Sequence, residues 1–291
     1  MGGLQPFGFF VVLAIIVGEI LMRWRAKQVG LEDREMRTLF WWCLLFGLFA
    51  SHVIDEVFYH PEQIALRPWS LLLIWEGLSS MGGFIGAVIA AIAWKFWRVE
   101  RWVPKRRATP IAILAYAEVV LATFPFSWAI ARIGCTVVHD HPGAVTSAST
   151  FLSVAYPSGD GDVVQRVLGP LSFIWGNEPR HDLGLIEMLL SLVLAGALAL
   201  TWKRKLPLGT YAAVVPLAYA PVRFALDFLR ARDLEGSDLR HGLLTFAQWA
   251  CVALFAYGVV MALYVRATAR AMQPRSTPAS PSTSGGSSIE R

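Results

Sequence analysis

An arginine stands where an apolar run ends: Arg132-Ile133-Gly134-Cys135 follows directly on Ile111–Ile130. A permanent charge at the edge of a hydrocarbon layer is expensive and needs a partner. Arg223 holds the same kind of position after Val214–Val222. A guanidinium stays ionised at every accessible pH, and its planar fork matches phosphate bidentately. Two such groups at the rim of a membrane bundle point to a phospholipid headgroup as ligand.

Other polar groups gather near these arginines along the chain. Val138-His139-Asp140-His141-Pro142-Gly143 is the densest titratable stretch. Its imidazoles suit proton transfer, a pair flanking a carboxylate also suits metal ligation, and the bland alternative is a polar external loop. Arg180-His181-Asp182 opens the next apolar run, with Asp182 placed to cap a helix and Glu187 one turn deeper. Tyr219, Arg223 and Asp227 follow at i, i+4 and i+8, hence on one helical face, with Arg230 and Arg232 as interfacial residues beyond. Earlier, His52, Asp55 and Glu56 share a face and are either solvated at a helix end or part of a polar pocket. Glu76, in Trp75-Glu76-Gly77, needs a cationic or hydrogen-bonding partner, for which Arg132 and Arg223 are the candidates. The glycines that follow, Gly82 and Gly86, form a small-xxx-small pair suited to close helix approach.

The elements that must position these residues are membrane helices. The chain of 291 residues is 55% hydrophobic and only 16% charged, with 12 Trp, against roughly 25% charged in a soluble domain. Seven spans can be drawn, at about Pro6–Met22, Leu39–Ile54, Leu71–Trp94, Ile111–Ile130, Leu183–Trp202, Tyr211–Phe228 and Leu243–Val265, each near the ~20 residues needed to cross the hydrocarbon. The expected fold is therefore all-α, a polytopic bundle of seven transmembrane helices. Lys and Arg cluster after the first, third, fifth and seventh spans. With seven spans, all four clusters fall on one side, which the positive-inside rule makes cytoplasmic. The N-terminus is then outside and the C-terminus cytoplasmic. The first apolar run lacks the features of a cleaved signal peptide and reads as a retained helix.

On this count residues 1–272 form one membrane domain, and the connection 133–182 is an external cap. Residues 273–291, rich in Pro, Ser and Gly, form a disordered cytoplasmic tail. The net charge of +5 lies in the clusters between spans, so it reads as topology rather than nucleic-acid binding. Cys43, Cys135 and Cys251 show no CxxC pairing, which argues against a disulfide framework or a cysteine zinc site.

At these residues the chain resembles the bacterial prolipoprotein diacylglyceryl transferases, from roughly Pro6 to Val265. Trp75-Glu76-Gly77 with Met81-Gly82-Gly83-Phe84-Ile85-Gly86 is similar to the family's third-helix segment. Arg132-Ile133-Gly134-Cys135, with Gly143 further on, resembles the signature whose arginine contacts phosphatidylglycerol. His181 and Glu187 fit the ends of a third motif, and Tyr219, Arg223-Phe224, Phe228 and Arg230 look like the segment bearing the second essential arginine. There are departures. Met81 stands where a histidine or tyrosine is common, Asp227 where a glutamate is usual, and Val138-His139-Asp140-His141-Pro142 replaces an asparagine-glycine loop.

The resemblance implies transfer of a diacylglyceryl group from phosphatidylglycerol to the cysteine thiol of a prolipoprotein signal peptide, in the bacterial inner membrane among its lipids. Arg132 and Arg223 would clamp the phosphate, with Glu76 and Asp227 orienting them; Gly134, Gly143, Tyr219 and His181 complete the substrate site. With Met81 unable to accept a proton, His139, His141 or Glu187 must act as base, His139 being favoured. The chemistry asks for no metal and no cofactor. Two other readings stay open: a metal-dependent hydrolase built from His52, Asp55, His139, Asp140, His141 and His181, and a lipid-binding protein without catalysis.

Overall fold

The long apolar runs become helices whose outer faces remain apolar. In a computed structural model, which describes residues 6–58, 60–73, 77–100, 103–156, 178–234 and 240–271, the principal helices are α1 (Pro6–Gln28), α2 (Asp33–Phe58), α4 (Ser80–Phe96), α5 (Ile113–Val138), α6 (Leu183–Thr201), α7 (Thr210–Leu226) and α8 (Phe246–Ala271), with a short α3 (Pro61–Leu66). Val12, Ile16 and Ile20 of α1, Val193 of α6 and Val260 and Leu263 of α8 are exposed. In water such a surface would be a liability; against lipid it costs nothing. Six of the described helices are long and apolar enough to cross a membrane, α7 counted with the turn Asp227–Leu229. The protein is a polytopic helical membrane protein.

The third span differs from its expected course. It begins at Ser80 rather than Leu71, because Pro68 starts a separate 3-10 turn (Pro68–Leu72) and the Ser79 side chain accepts from Gly82 N to cap α4. The 17 residues of α4 reach about 25 Å at ~1.5 Å per residue, less than the ~30 Å of hydrocarbon. α5 differs in the other direction. It runs two turns past Ile130 to Val138, so Arg132 and Cys135 lie within a helix and the connection to α6 starts at His139, not Ile133.

The all-α expectation also needs amending, since short antiparallel strands fill the connections. β1 (Trp97–Glu100) pairs with β2 (Val103–Arg106), and β6 (Arg240–His241) with β7 (Leu244–Thr245). Between α5 and α6, β5 (Glu178–Asp182) lies between β3 (Pro142–Val145) and β4 (Ser153–Tyr156), with Pro142 opposite Asp182 and Ser153 opposite His181. Outside the spans, period-two pairing satisfies backbone groups that a helix would have satisfied within. Of the cap drawn over 133–182, residues 157–177 lie outside the described residues, as does the tail.

Close packing fixes the bundle. A Cβ on Gly82 would stand 2.7 Å from Ala50 O, and one on Gly86 2.5 Å from Phe46 O, so α2 and α4 touch backbone to backbone as the small-xxx-small spacing anticipates. One buried cluster joins Ala26, Met36, Leu39, Trp94, Tyr116 and Val119; another, under the arginines, joins Ala122, Leu194, Leu198, Tyr211, Val215 and Tyr219.

Candidate active site

Arg132 of α5, Glu187 of α6 and Arg223 of α7 meet inside the bundle, all three almost fully buried. Arg132 Nη2 is 2.8 Å and Arg223 Nε 3.8 Å from the same oxygen, Glu187 Oε2. The other oxygen, Oε1, accepts from the Tyr219 hydroxyl and from Trp128 Nε1 at 3.2 Å. Trp128 also presents its ring to Arg132, with the guanidinium carbon 4.6 Å from the ring centre, a cation–π contact strengthened by the dry surroundings.

The turn that ends α7 carries a second carboxylate. Arg223 Nη1 donates to Asp227 Oδ1 at 2.9 Å, as the i, i+4 spacing predicts, and Arg230 Nε lies 3.4 Å from the same atom. Asp227 Oδ2 accepts from the Thr245 hydroxyl, and Thr245 N donates to Gln248 Oε1 at 3.1 Å. Three guanidiniums thus share two carboxylates. Arg132 Nε and Arg223 Nε are buried and have no acceptor among the described residues. Buried donors left this way are costly, and here they belong to cations. The site carries more donor capacity and more positive charge than its own side chains absorb. An anion with several oxygens would complete it.

Beyond the end of α5 the imidazoles divide. His139, in the left-handed conformation at φ 51°, ends the helix. Its Nδ1 is 2.9 Å from Asp182 Oδ2, while Asp182 Oδ1 accepts from Leu185 N at 2.9 Å and so caps α6. Tyr156 packs its ring on His139, and burial raises the pKa of that phenol. His139 therefore joins the helix end to the sheet. His141 is the imidazole that reaches the arginines: its Nε2 is 3.2 Å from Arg132 Nη1, which also lies 3.4 Å from Cys135 Sγ.

The remaining expected residues are placed as follows. A Cβ on Gly134 would be 3.1 Å from Phe10 Cβ, so this glycine seats α5 against α1. One on Gly143 would be 2.6 Å from His181 O and 2.8 Å from Leu229 O; Gly143 also bridges to Arg230, which fixes the sheet of β3, β4 and β5 to the end of α7. His181 lies on β5 opposite Ser153. Glu76 falls outside the described residues, and the anionic partner shared by both arginines is Glu187. Trp128, Thr245 and Gln248 were missed by sequence reasoning. Trp128 had a signal, since it precedes Arg132 by one helical turn; Thr245 and Gln248 show only as polar residues opening an apolar run. The set proposed for a metal hydrolase does not assemble: among the described residues, Cys135, Asp140 and His141 are the one group gathered closely enough to hold an ion.

A relative from Chromohalobacter salexigens, named phosphatidylglycerol--prolipoprotein diacylglyceryl transferase, is 27% identical over 263 residues, covering 89% of this chain and 87% of its own. Relatives of the same name from Nitratidesulfovibrio vulgaris and Neisseria meningitidis serogroup C are 27% identical over 268 residues and 28% over 259, covering 90% of this chain and 90% of the relative, and 86% and 87%, respectively. Residues 3–264 match the family described as prolipoprotein diacylglyceryl transferase. With nearly the whole bundle inside that match, this chain belongs to the prolipoprotein diacylglyceryl transferase family.

Proposed function

We propose that this protein transfers a diacylglyceryl group from phosphatidylglycerol to the cysteine thiol of prolipoprotein signal peptides, at the outer side of the bacterial inner membrane. Arg132 and Arg223 hold the lipid phosphate. The observation that carries the reading is the convergence of both guanidiniums on Glu187, with buried donors still unmet among the described residues. In the reaction the thiolate sulfur attacks the glyceryl carbon and the bond from that carbon to the phosphate oxygen breaks. Glycerol phosphate leaves with the electron pair. Negative charge grows on the phosphate as the bond breaks, and cations already fixed in a dry site stabilise that growth without reorganising. Glu187, Tyr219 and Trp128 keep the Arg132 side directed, and Asp227 with Thr245 does the same for Arg223.

In this arrangement α4 serves as a short seventh span. That count returns the four Lys/Arg clusters to one side, leaving the N-terminus outside, the C-terminus cytoplasmic and the strands between α5 and α6 external. The test is complementation of a bacterium depleted of its own transferase. Growth rescued by the wild-type chain and not by Arg132→Ala is the expected result; no rescue by wild-type protein that has reached the membrane overturns the reading.

A further inference from the structure

The transfer leaves one proton to place, that of the acceptor thiol. His141 sits just past the end of α5 with its side chain 22% exposed, at the border between the buried arginines and the outside. Its Nδ1 is 2.5 Å from Asp140 Oδ1. An ionised carboxylate only accepts, so the ring proton is on Nδ1 and the lone pair is on Nε2. That lone pair receives Arg132 Nη1 at 3.2 Å. The charged and titratable groups facing the ring are Asp140 beside it, Arg132 and Cys135 from α5, and Glu187 from α6, whose charge reaches it. His139 instead places its Nδ1 on Asp182.

We propose that His141, oriented by Asp140, is the base that takes the proton of the acceptor thiol, and that lipid phosphate unmasks it by drawing Arg132 away from Nε2. This rests on the transferase reading. The thiol proton passes to Nε2, the sulfur–carbon bond forms as the carbon–oxygen bond breaks, and the imidazolium then gives its proton to the departing glycerol phosphate or to water. Before lipid binds, a guanidinium N–H occupies the basic lone pair, so the order is lipid first and thiol second.

Cys135, Asp140 and His141 each offer a ligand atom, all within 4.8 Å of one another, and zinc accepts such donors. The contact between Asp140 and His141 is a hydrogen bond of 2.5 Å; two ligands on a tetrahedral zinc with bonds of ~2.0–2.1 Å stand roughly 3.3 Å apart. Arg132, a cation, already fills the space facing Nε2 and the sulfur. The proton-transfer use fits the geometry better.

The test uses the full chain in phosphatidylglycerol vesicles with a lipobox peptide, from about pH 6 to about pH 10 to cover imidazole and thiol. His141→Gln should lose about 10²–10³-fold in kcat near neutrality at unchanged KM for lipid. Part of the rate should return as the peptide thiol ionises near ~8.5 on its own. Asp140→Asn should give a smaller loss of the same kind. In the wild-type chain, diethyl pyrocarbonate should label His141, read by mass spectrometry, faster in phosphatidylglycerol than in phosphatidylcholine vesicles. An unaffected His141→Gln enzyme, a loss equal at every pH, lipid-independent labelling, or stoichiometric zinc whose removal stops transfer would each overturn the proposal. A wild-type chain that modifies no peptide instead brings down the transferase reading beneath it.

Discussion

Two arginines of this protein stack on tryptophans and face glutamates, yet their surroundings differ. Arg107 donates Nη1 and Nη2 to Glu35 at 2.8 and 2.7 Å, and its Nε to the carbonyls of Trp94 and Trp97 at 3.1 and 3.3 Å, with the Trp94 ring 5.4 Å away. Its donor groups each meet an oxygen, and the charge is matched one to one. Arg132 shares its carboxylate with Arg223 and keeps a buried Nε without an acceptor among the described residues. The first arrangement is complete and holds the bundle together. The second is incomplete in the sense that matters for binding, since the proposed phosphate would gain hydrogen bonds that the described side chains do not make. Stability and ligand affinity are thus assigned to different ends of the chain's arginine inventory.

The comparison breaks if the two pairs respond alike to mutation. Arg132→Ala and Arg223→Ala should each lower transfer by at least about 10²–10³-fold, as when a donor to a developing anion is lost. Lysine at either position should restore little, because the fork is gone; a peptide-modification assay on purified protein checks both. Glu187→Gln should destabilise the detergent-solubilised protein by about 3–5 kcal/mol, by leaving buried Arg132 without its carboxylate and Arg223 with Asp227 alone. Phosphatidylglycerol should recover part of that loss in a thermal melt. Arg107→Lys, which keeps the charge and loses the fork, should cost about 1.5–3 kcal/mol and leave the turnover of each folded molecule unchanged.

A smaller effect sharpens the outer edge of the site. Arg180 donates to both oxygens of Asp233 at 3.0 and 2.5 Å and to Gly143 O at 3.1 Å, joining the sheet of β3, β4 and β5 to the chain after α7. Hydrogen bonds from Arg180 lower the Asp233 pKa from 3.8 to about 2. A lowered carboxylate pKa contributes stability fully above its ordinary range and loses it as the pH falls through the lowered value. The latch should therefore hold from neutrality down to about pH 4 and open toward pH 2. Asp233→Asn should open it at neutral pH, seen as faster hydrogen exchange around Arg180 with little change in global melting.

Much of this was legible in the chain. Long apolar runs and few charges announced the membrane bundle, and the i, i+4, i+8 spacing of Tyr219, Arg223 and Asp227 placed one face of α7 correctly. Glycines 82 and 86 announced a close helix contact. What could not be read were partners brought from elsewhere. Glu187 shares both arginines because α6 and α7 both pack against α5, a tertiary fact that leaves no local pattern. The division between His139 and His141 turns on one backbone angle. Leu71 was placed in a span because hydropathy does not register that Pro68 and the Ser79 cap interrupt the helix. The small strands escaped notice because short polar connections carry too little alternation to distinguish them.

That single angle has a further reach. With φ at 51°, His139 swivels the main chain at the top of α5, so residues leaving the helix double back across its last turns instead of climbing away from them. This reversal lets His141 lean over an arginine nine positions behind it. A substitution at 139 that favoured continued right-handed coiling would lift Asp140 and His141 off together, with every side chain of the arginine cluster untouched.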